Sequence, residues 1–322
     1  MPPKPPRPRR ALSSPGGRVV SSGDARWRRI LGEALAIPSD ADARALTHGF
    51  HSYPARFHPL LCRRLLAESA HAGTVVLDPF VGSGTTLVEA ALRGATGRGV
   101  DANPLAVDLA ALKATVVPAD ARARLVERAL GKGNPSRLFA RKTEELARGM
   151  AAFAAAVPRG TPPPDVRLGD ARKLSHVADR SVDVILTSPP YLGTYDYAQQ
   201  HERRFGWLGV DASRFVETEI GARRRSRDAA DALGDWQRDV DAFVAEFARV
   251  LKKGALAFVA IGDSAVGTRA IAGDAAIRAA AERAHLHVLA NAAEERPNFY
   301  RHAGGETRRE HLLLITNAKP PV

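Results

Sequence analysis

The segment from Thr74 to Arg93 narrows the possible folds more than any other. Thr74-Val75-Val76-Leu77-Asp78 is a short apolar run ending in an acid. Pro79-Phe80-Val81-Gly82-Ser83-Gly84-Thr85-Thr86 then turns the chain, and a helical pattern follows. A buried strand feeding a glycine turn and a helix is the opening half of a βαβ unit. The rest of the chain keeps that rhythm. Further strands are expected at 97–101, 166–169, 182–187, 256–261, 286–290 and 311–316, with helices at 59–70, 84–93, 104–115, 236–251 and 268–284. Such alternation predicts right-handed crossovers and an α/β fold, a mostly parallel sheet covered by helices on both faces.

Three stretches depart from the rhythm. Residues 1–25 read as a disordered basic tail rich in Pro, Arg, Ser and Gly, too poor in apolar surface to fold. Residues 119–164 form an alanine- and arginine-rich helical insertion that ends in three prolines. Residues 192–234 form a second insertion, carrying Arg203, Arg204, Arg214, Arg223, Arg224, Arg225 and Arg227. The remainder, 26–322, is expected to be one domain.

Charge points to a polyanionic partner. The formal net charge is +12, and five of those charges sit on Lys4, Arg7, Arg9, Arg10 and Arg18, ahead of the first acid. Neutralising phosphates releases counterions, so a basic surface binds nucleic acid whatever its sequence. A single cysteine, Cys62, excludes an internal disulfide and a cysteine-only metal site, and a reducing cytoplasm is the simplest location. No run of about 18 apolar residues is free of charges and breakers, so no membrane span is expected. No convincing metal ligand set emerges either.

The glycines at 82 and 84 let the backbone turn tightly and approach a ligand closely. Turns of this kind, at the carboxyl end of the first strand, are where open α/β sheets bind adenosine-containing ligands. Asp101 closes the next expected strand 17 residues after Gly84, where a carboxylate can accept from both ribose hydroxyls. No Gly-Lys-Ser/Thr follows, and Leu87 stands where a dinucleotide fingerprint has its third glycine. Asp78 lies where it can meet the positively charged amino end of a ligand such as S-adenosylmethionine.

A second loop follows the strand 182–187, reading Thr187-Ser188-Pro189-Pro190-Tyr191. Two prolines stiffen it and leave carbonyls as acceptors. Ser188 adds an oxygen, and Tyr191 an aromatic face. The set suits a flipped base, whose exocyclic amino group donates to the oxygens while its ring stacks. Taken together, Asp78–Thr86 and Thr187–Tyr191 strongly resemble the DNA N4-cytosine/N6-adenine methyltransferases.

That resemblance implies a Rossmann-like, seven-stranded S-adenosylmethionine-dependent methyltransferase sheet whose last strand is antiparallel. It gives S-adenosyl-L-methionine as cofactor, held by Asp78, Phe80, Gly82, Ser83, Gly84, Thr85 and Asp101. It makes Ser188, Pro189, Pro190 and Tyr191 the catalytic loop. The run 47–59 is similar to a segment that closes over the cofactor's methionine end. This implies roles there for Tyr53, for Arg56 as a carboxylate partner, and for Phe57. Asp170 matches a position that faces the adenine amino group. DNA is the implied partner, with RNA ranked below it, and a cognate restriction enzyme is left open. The serine at 188 favours cytosine N4. The order of the loops, cofactor before catalytic, keeps adenine N6 and the guanine-N2 enzymes of tRNA in play. Arg203, Arg204, Arg223, Arg224, Arg225 and Arg227 are the candidate nucleic-acid contacts, for phosphates or guanine edges. Asn298, Tyr300, Arg301 and His302 form a late polar cluster without an assigned role. A non-catalytic binding module and a small-molecule methyltransferase are the competing classes. Intact loops count against the first, and the basic charge against the second.

Overall fold

The computed structural model describes residues 17–51, 53, 56–131, 136–222, 224, 229–266, 269–296 and 308–319. In chain order the strands are β1 (Val19–Gly23), β2 (Val75–Asp78), β3 (Thr96–Asp101), β4 (Asp165–Leu168), β5 (Val182–Thr187), β6 (Leu251–Gly262), β7 (Ser264–Val266), β8 (Arg269–Ile271), β9 (His287–Glu295) and β10 (Arg309–Thr316). The helices are α1 (Ala25–Leu35), α2 (Pro59–Ser69), α3 (Thr85–Ala91), α4 (Pro104–Ala114), α5 (Ala119–Leu130), α6 (Arg137–Ala156), α7 (Tyr197–Leu208), α8 (Ser213–Thr218), α9 (Ala229–Val250) and α10 (Gly273–Arg283).

Eight strands form the main sheet in the order β1-β9-β10-β6-β5-β2-β3-β4. β2, β3, β4, β5 and β6 pair in parallel, and β10 runs antiparallel between β6 and β9. The seven strands expected are all present, with an antiparallel last strand, in the Rossmann-like methyltransferase arrangement. An eighth, β1, adds to the edge beside β9.

Side chains alternate across the sheet with period two, and each set meets its own helices. Val184, Leu186, Leu312 and Leu314 pack with Ile30, Leu31, Leu61 and Leu65 of α1 and α2. Ile185, Leu313 and Ile315 point the other way, onto Phe243, Phe247, Ile277 and Ala280 of α9 and α10. A strand such as Leu312–Ile315 is therefore apolar throughout because it is covered on both faces. Within 119–164, α5 and α6 pack on each other, and Phe153 joins Val81 and Leu87 beside the first loop.

Two expectations change here. Residues 1–16 lie outside the described residues, but the remainder of the 1–25 tail is ordered. Gly17 N donates to Glu294 Oε1 at 3.3 Å, Val19–Gly23 pair with Ala290–Glu294, and Asp24 caps α1 by accepting from Trp27 N at 3.0 Å. An exposed edge strand held by backbone hydrogen bonds needs little apolar content, so composition alone hid it. The helix expected over 268–284 starts at Gly273, because the hairpin β7–β8 occupies 264–271. Among the described residues no helix is long and apolar enough to cross a membrane.

The segment 47–59 is tied to α2 and α3 by a buried polar cluster. His48 Nε2 lies 2.9 Å from Glu89 Oε1, and Arg63 donates to both Glu89 oxygens at 3.1 Å. Burial pulls His48 down to about 4, against the pull of Glu89, so the ring is neutral and donates its Nε2 proton. Removing one partner of a buried charged pair strands the other. Glu89→Ala is therefore expected to cost about 3 kcal/mol, the low end for such a break because Arg63 keeps some solvent access. Urea unfolding with an unchanged m-value would measure it; a loss below 1 kcal/mol would mean that the cluster is dispensable.

Candidate active site

β2 and β5 are neighbours and parallel, so the loops that follow them leave the sheet at the same edge. Thr187 Oγ1, closing β5, donates to Asp78 Oδ1, closing β2, at 2.7 Å. Asp78 also accepts from Phe80 N at 3.1 Å. Burial raises its carboxyl to about 6, against these hydrogen bonds, which favour the ion. Asp78 thus pins the two loops together from beneath.

The first loop is held by backbone contacts. Val81 N donates to Val100 O at 2.9 Å, and Gly84 N to Val81 O at 2.8 Å. Gly84 has φ of +80°, and a Cβ there would lie 2.7 Å from Ala110 Cα, so only glycine fits between the loop and α4. Gly82 N donates to Asp101 Oδ2 at 2.8 Å, and Asn103 N to Asp101 Oδ1 at 2.9 Å. A carboxylate has about four acceptor positions, so Asp101 keeps capacity for a ligand. Burial raises it to about 6 although three backbone N–H groups pull the other way.

An open cleft of about 670 Å³ is lined from both loops. Tyr53, Phe80, Gly82 and Asp101 lie on one side, Ser188 and Pro190 on another, with Asp170 and, from the 192–234 insertion, Tyr197, Phe215 and Glu219. Five of the residues expected to hold a cofactor therefore meet there: Tyr53, Phe80, Gly82, Asp101 and Asp170. Asp170 arrives already engaged. Arg172 Nη2 donates to it at 2.6 Å and Arg172 Nη1 to Asp239 at 2.6 Å. Burial penalises the Asp170 charge, but the hydrogen bonds from Arg172 outweigh that and hold the carboxyl below its usual value.

Other expected residues support the cleft without lining it. Ser83, Thr85 and Asp78 are buried, and Ser83 Oγ accepts from Lys113 Nζ at 3.2 Å. Lys113 is fully buried, and burial lowers it to about 7. It gave no signal in the sequence, being one cation at the end of an otherwise apolar helix. Arg56 is directed elsewhere: its guanidinium donates to His48 O at 2.7 Å and Ala43 O at 2.9 Å, where it closes the 43–48 turn. Phe57 is buried in the cluster with α1 and α2.

In the second loop, Pro189 is buried, and the Pro190 carbonyl accepts from Trp236 Nε1 at 3.1 Å, so it is not a free acceptor. Tyr191 faces away from the cleft. Its ring lies against Gly262, where an added Cβ would come within 2.7 Å of the ring edge, and its hydroxyl donates to Glu310. It lines a second cleft with Thr194, Tyr195, Gly262, Asp263, Arg296, Arg308, Arg309 and Glu310. The sequence offered no cue to Glu310, an acid inside an apolar last strand.

Of the six arginines expected to meet nucleic acid, Arg223, Arg225 and Arg227 lie outside the described residues, as do Asn298, Tyr300, Arg301 and His302. Arg224 is spent within the insertion, donating to Asp196 at 3.3 Å and to Glu219. Arg204 lies 3.0 Å from the His201 ring, and Arg203 is exposed. Asp263, Asp274 and His311 bring donor atoms within 4.8 Å of one another. Asp263 already accepts from Gly273 N and Arg309 N, which reads as a brace between β6, α10 and β10.

Replacing Gly84 by alanine imposes both a left-handed φ on a side chain and a clash with Ala110. A stability loss of more than about 1 kcal/mol is expected. Thermal or urea unfolding of Gly84→Ala checks this, and wild-type stability would mean that the loop relaxes freely.

Residues 31–112, which include the first loop, match a family model described as DNA methylase, of the N6/N4 type. The type II methyltransferase M.MjaII of Methanocaldococcus jannaschii is 34% identical over 80 residues, 25% of this chain and 15% of that protein. M.MvaI of Kocuria varians is 33% identical over 81 residues, 24% of this chain and 18% of that protein. The chain thus spans less than a fifth of the length of these curated relatives. A solved rRNA methyltransferase, AviRa of Streptomyces viridochromogenes, superposes with a TM-score of 0.46 at 18% identity, covering 87% of this chain and 94% of that one. Residues 31–112 thus resemble the DNA amino-methyltransferases over the part of the chain that carries the first loop.

Proposed function

We propose that the chain transfers a methyl group from S-adenosyl-L-methionine to the exocyclic amino group of a base in DNA, cytosine N4 ahead of adenine N6. The observation that carries this reading is one cleft lined by both loops, by Phe80 and Gly82 of the first and Ser188 and Pro190 of the second, together with Asp101. The lining residues fit the cofactor: Asp101 retains an acceptor position for a ribose hydroxyl, and Phe80 and Tyr53 offer apolar faces. When bound, the sulfonium supplies an electrophilic methyl whose bond to sulfur breaks with its electron pair left on sulfur.

The chain's own residues position the acceptor. Ser188 Oγ lies at the cleft and can accept from a base amino group, which draws nitrogen density out of conjugation with the ring. A loop that merely ended β5 would have no reason to converge with the first loop on one cleft. Tyr195 and Tyr197, with ring centroids 5.4 Å apart, supply aromatic faces beside the loop now that Tyr191 is turned inward. The exposed Arg203 and the arginines at 223, 225 and 227 are the candidate phosphate contacts. The serine at 188 supports cytosine, while the loop order supports adenine as the second reading.

Purified protein incubated with labelled S-adenosylmethionine and either DNA or RNA, followed by digestion to nucleosides, tests the assignment. Label in N4-methylcytosine from DNA is expected. N6-methyladenine overturns the cytosine preference, and label in RNA alone overturns DNA.

A second expectation concerns Asp101. A ribose hydroxyl donates more strongly to its ionised form, so binding favours the ion and affinity is lost as pH falls through about 6. Calorimetric titration is expected to show about a tenfold weaker Kd per pH unit below that value. Asp101→Asn should bind more weakly at pH 8 and lose most of this dependence, leaving only what Asp78 contributes. An identical pH profile in the variant would remove Asp101 from the ribose site.

A further inference from the structure

Three groups lie in line across the second loop. Ser188 Oγ is 3.4 Å from Tyr191 Oη, and Tyr191 Oη is hydrogen-bonded to Glu310 Oε1. With Glu310 ionised, the direction of the chain follows from donor counting. Tyr191 has one proton and donates it to the carboxylate, so towards Ser188 its oxygen can only accept. Ser188 must therefore donate to Tyr191, which leaves its lone pairs as what it offers the cleft. Glu310 is the origin of that polarity, although it touches neither the cleft nor the first loop.

We propose that Glu310, acting through Tyr191, fixes Ser188 as a hydrogen-bond acceptor and receives the proton that the base amino group sheds on methylation. The inference rests on the base-methylation reading above. On gaining a methyl group the amino nitrogen carries one proton too many. That N–H bond breaks and the proton passes to Ser188 Oγ. The serine's own proton passes to Tyr191 Oη, and the tyrosine's proton to Glu310 Oε1. Ser188 and Tyr191 end as they began, the base is neutral, and the carboxylate has become a carboxylic acid. Glu310 also lines the second cleft, so the proton can leave for solvent by a route separate from the cofactor's.

The surroundings suit this role. Gly262 lacks the Cβ that would lie 2.7 Å from the Tyr191 ring and 3.0 Å from Glu310 Oε2, so its absence of a side chain allows the pair to meet. Facing Glu310 are His311 on its own strand, Glu294 and Arg296 at the end of β9, and Tyr191 from the loop. Tyr195, Tyr197, Asp263, Arg308 and Arg309 lie nearby. Burial raises the carboxyl to about 7, against Arg296, Tyr191 and His311, which gives an acceptor matched to neutral pH. Glu310 is a positioning residue, since it acts on the base only through the two hydroxyls.

Single-turnover methylation by the full chain, measured from pH 5.5 to 8.5 on the DNA that the wild type methylates, tests the relay. An acid that must be ionised to receive a proton gives a rate that is present above about 7 and lost as pH falls through it. Glu310→Gln is expected to lower the plateau rate about 100-fold, the scale of general-base effects, and to flatten the profile. Tyr191→Phe cuts the same line, so the double variant should be no slower than the slower single one. Cofactor Kd and unfolding midpoint should stay at wild-type values in Glu310→Gln, which a purely structural role would not predict. Independently of turnover, infrared difference spectra of the free protein should show a protonated carboxyl titrating near 7 in the wild type and missing in Glu310→Gln. A Glu310→Gln variant with the wild-type pH profile, or spectra without that band, overturns the relay. A wild type that methylates neither DNA nor RNA overturns the reading beneath it, and the wild-type reaction alone reveals that.

Discussion

The hydrogen bond from Thr187 to Asp78 joins the ends of two parallel strands, and the rest of the site is arranged around that junction. Parallel neighbours send their loops out at one edge of a sheet, and strand order decides which loops meet. Here β2 and β5 are adjacent although more than 100 residues separate them, the point at which the order reverses direction. One loop grips with backbone and glycine, the other presents a serine. The buried carboxylate between them is costly to ionise, and it is satisfied by Thr187 and the Phe80 amide rather than by an opposite charge. That keeps the junction rigid without fixing a cation inside the cleft.

Burial of polar groups recurs around the site with a common logic. Asp78, Asp101, Lys113 and Glu310 are all shifted towards their neutral forms by loss of water; donors beside the three acids limit their shifts, while Arg56 deepens that of Lys113. Lys113 stands behind the first loop and Glu310 behind the second, so each loop has an ionisable group on the face away from the cleft. Buried ionisable groups contribute little net stability and set geometry instead. Their concentration at one edge of the sheet is what separates this edge from the apolar faces packed on α1, α2, α9 and α10.

Much of the architecture was legible because it depends on periodicity. Seven strands and the helices between them follow from apolar runs and their punctuation, and strand 182–187 was read to the residue. β1 was not, since Val19–Gly23 holds its place by backbone pairing along an edge and only two of its residues are apolar. The hairpin at 264–271 was hidden by alanines downstream that read as continuous helix. At the site, residues that contact through local backbone, such as Gly82 with Asp101, could be inferred from loop spacing. Arg56 and Tyr191 could not be aimed from sequence, because the direction of a long side chain is set by tertiary partners: the carbonyls of Ala43 and His48 for one, Gly262 and Glu310 for the other.

The inward turn of Tyr191 bears on how the two clefts divide the work. A tyrosine stacked on a base would leave its hydroxyl free and Ser188 unbiased, able to donate or accept. With its hydroxyl committed to Glu310, the same residue instead dictates what Ser188 presents to the cleft. On the proposed reading, stacking is left to Tyr197, which lines the first cleft from α7. Chemistry and base grip thereby fall on different parts of the chain. The loop stays fixed by Trp236, Thr187 and Glu310, which on the proposed reading leaves target recognition to other parts of the chain. A rigid reacting centre beside a variable reading surface is the arrangement expected where one reaction serves many target sites.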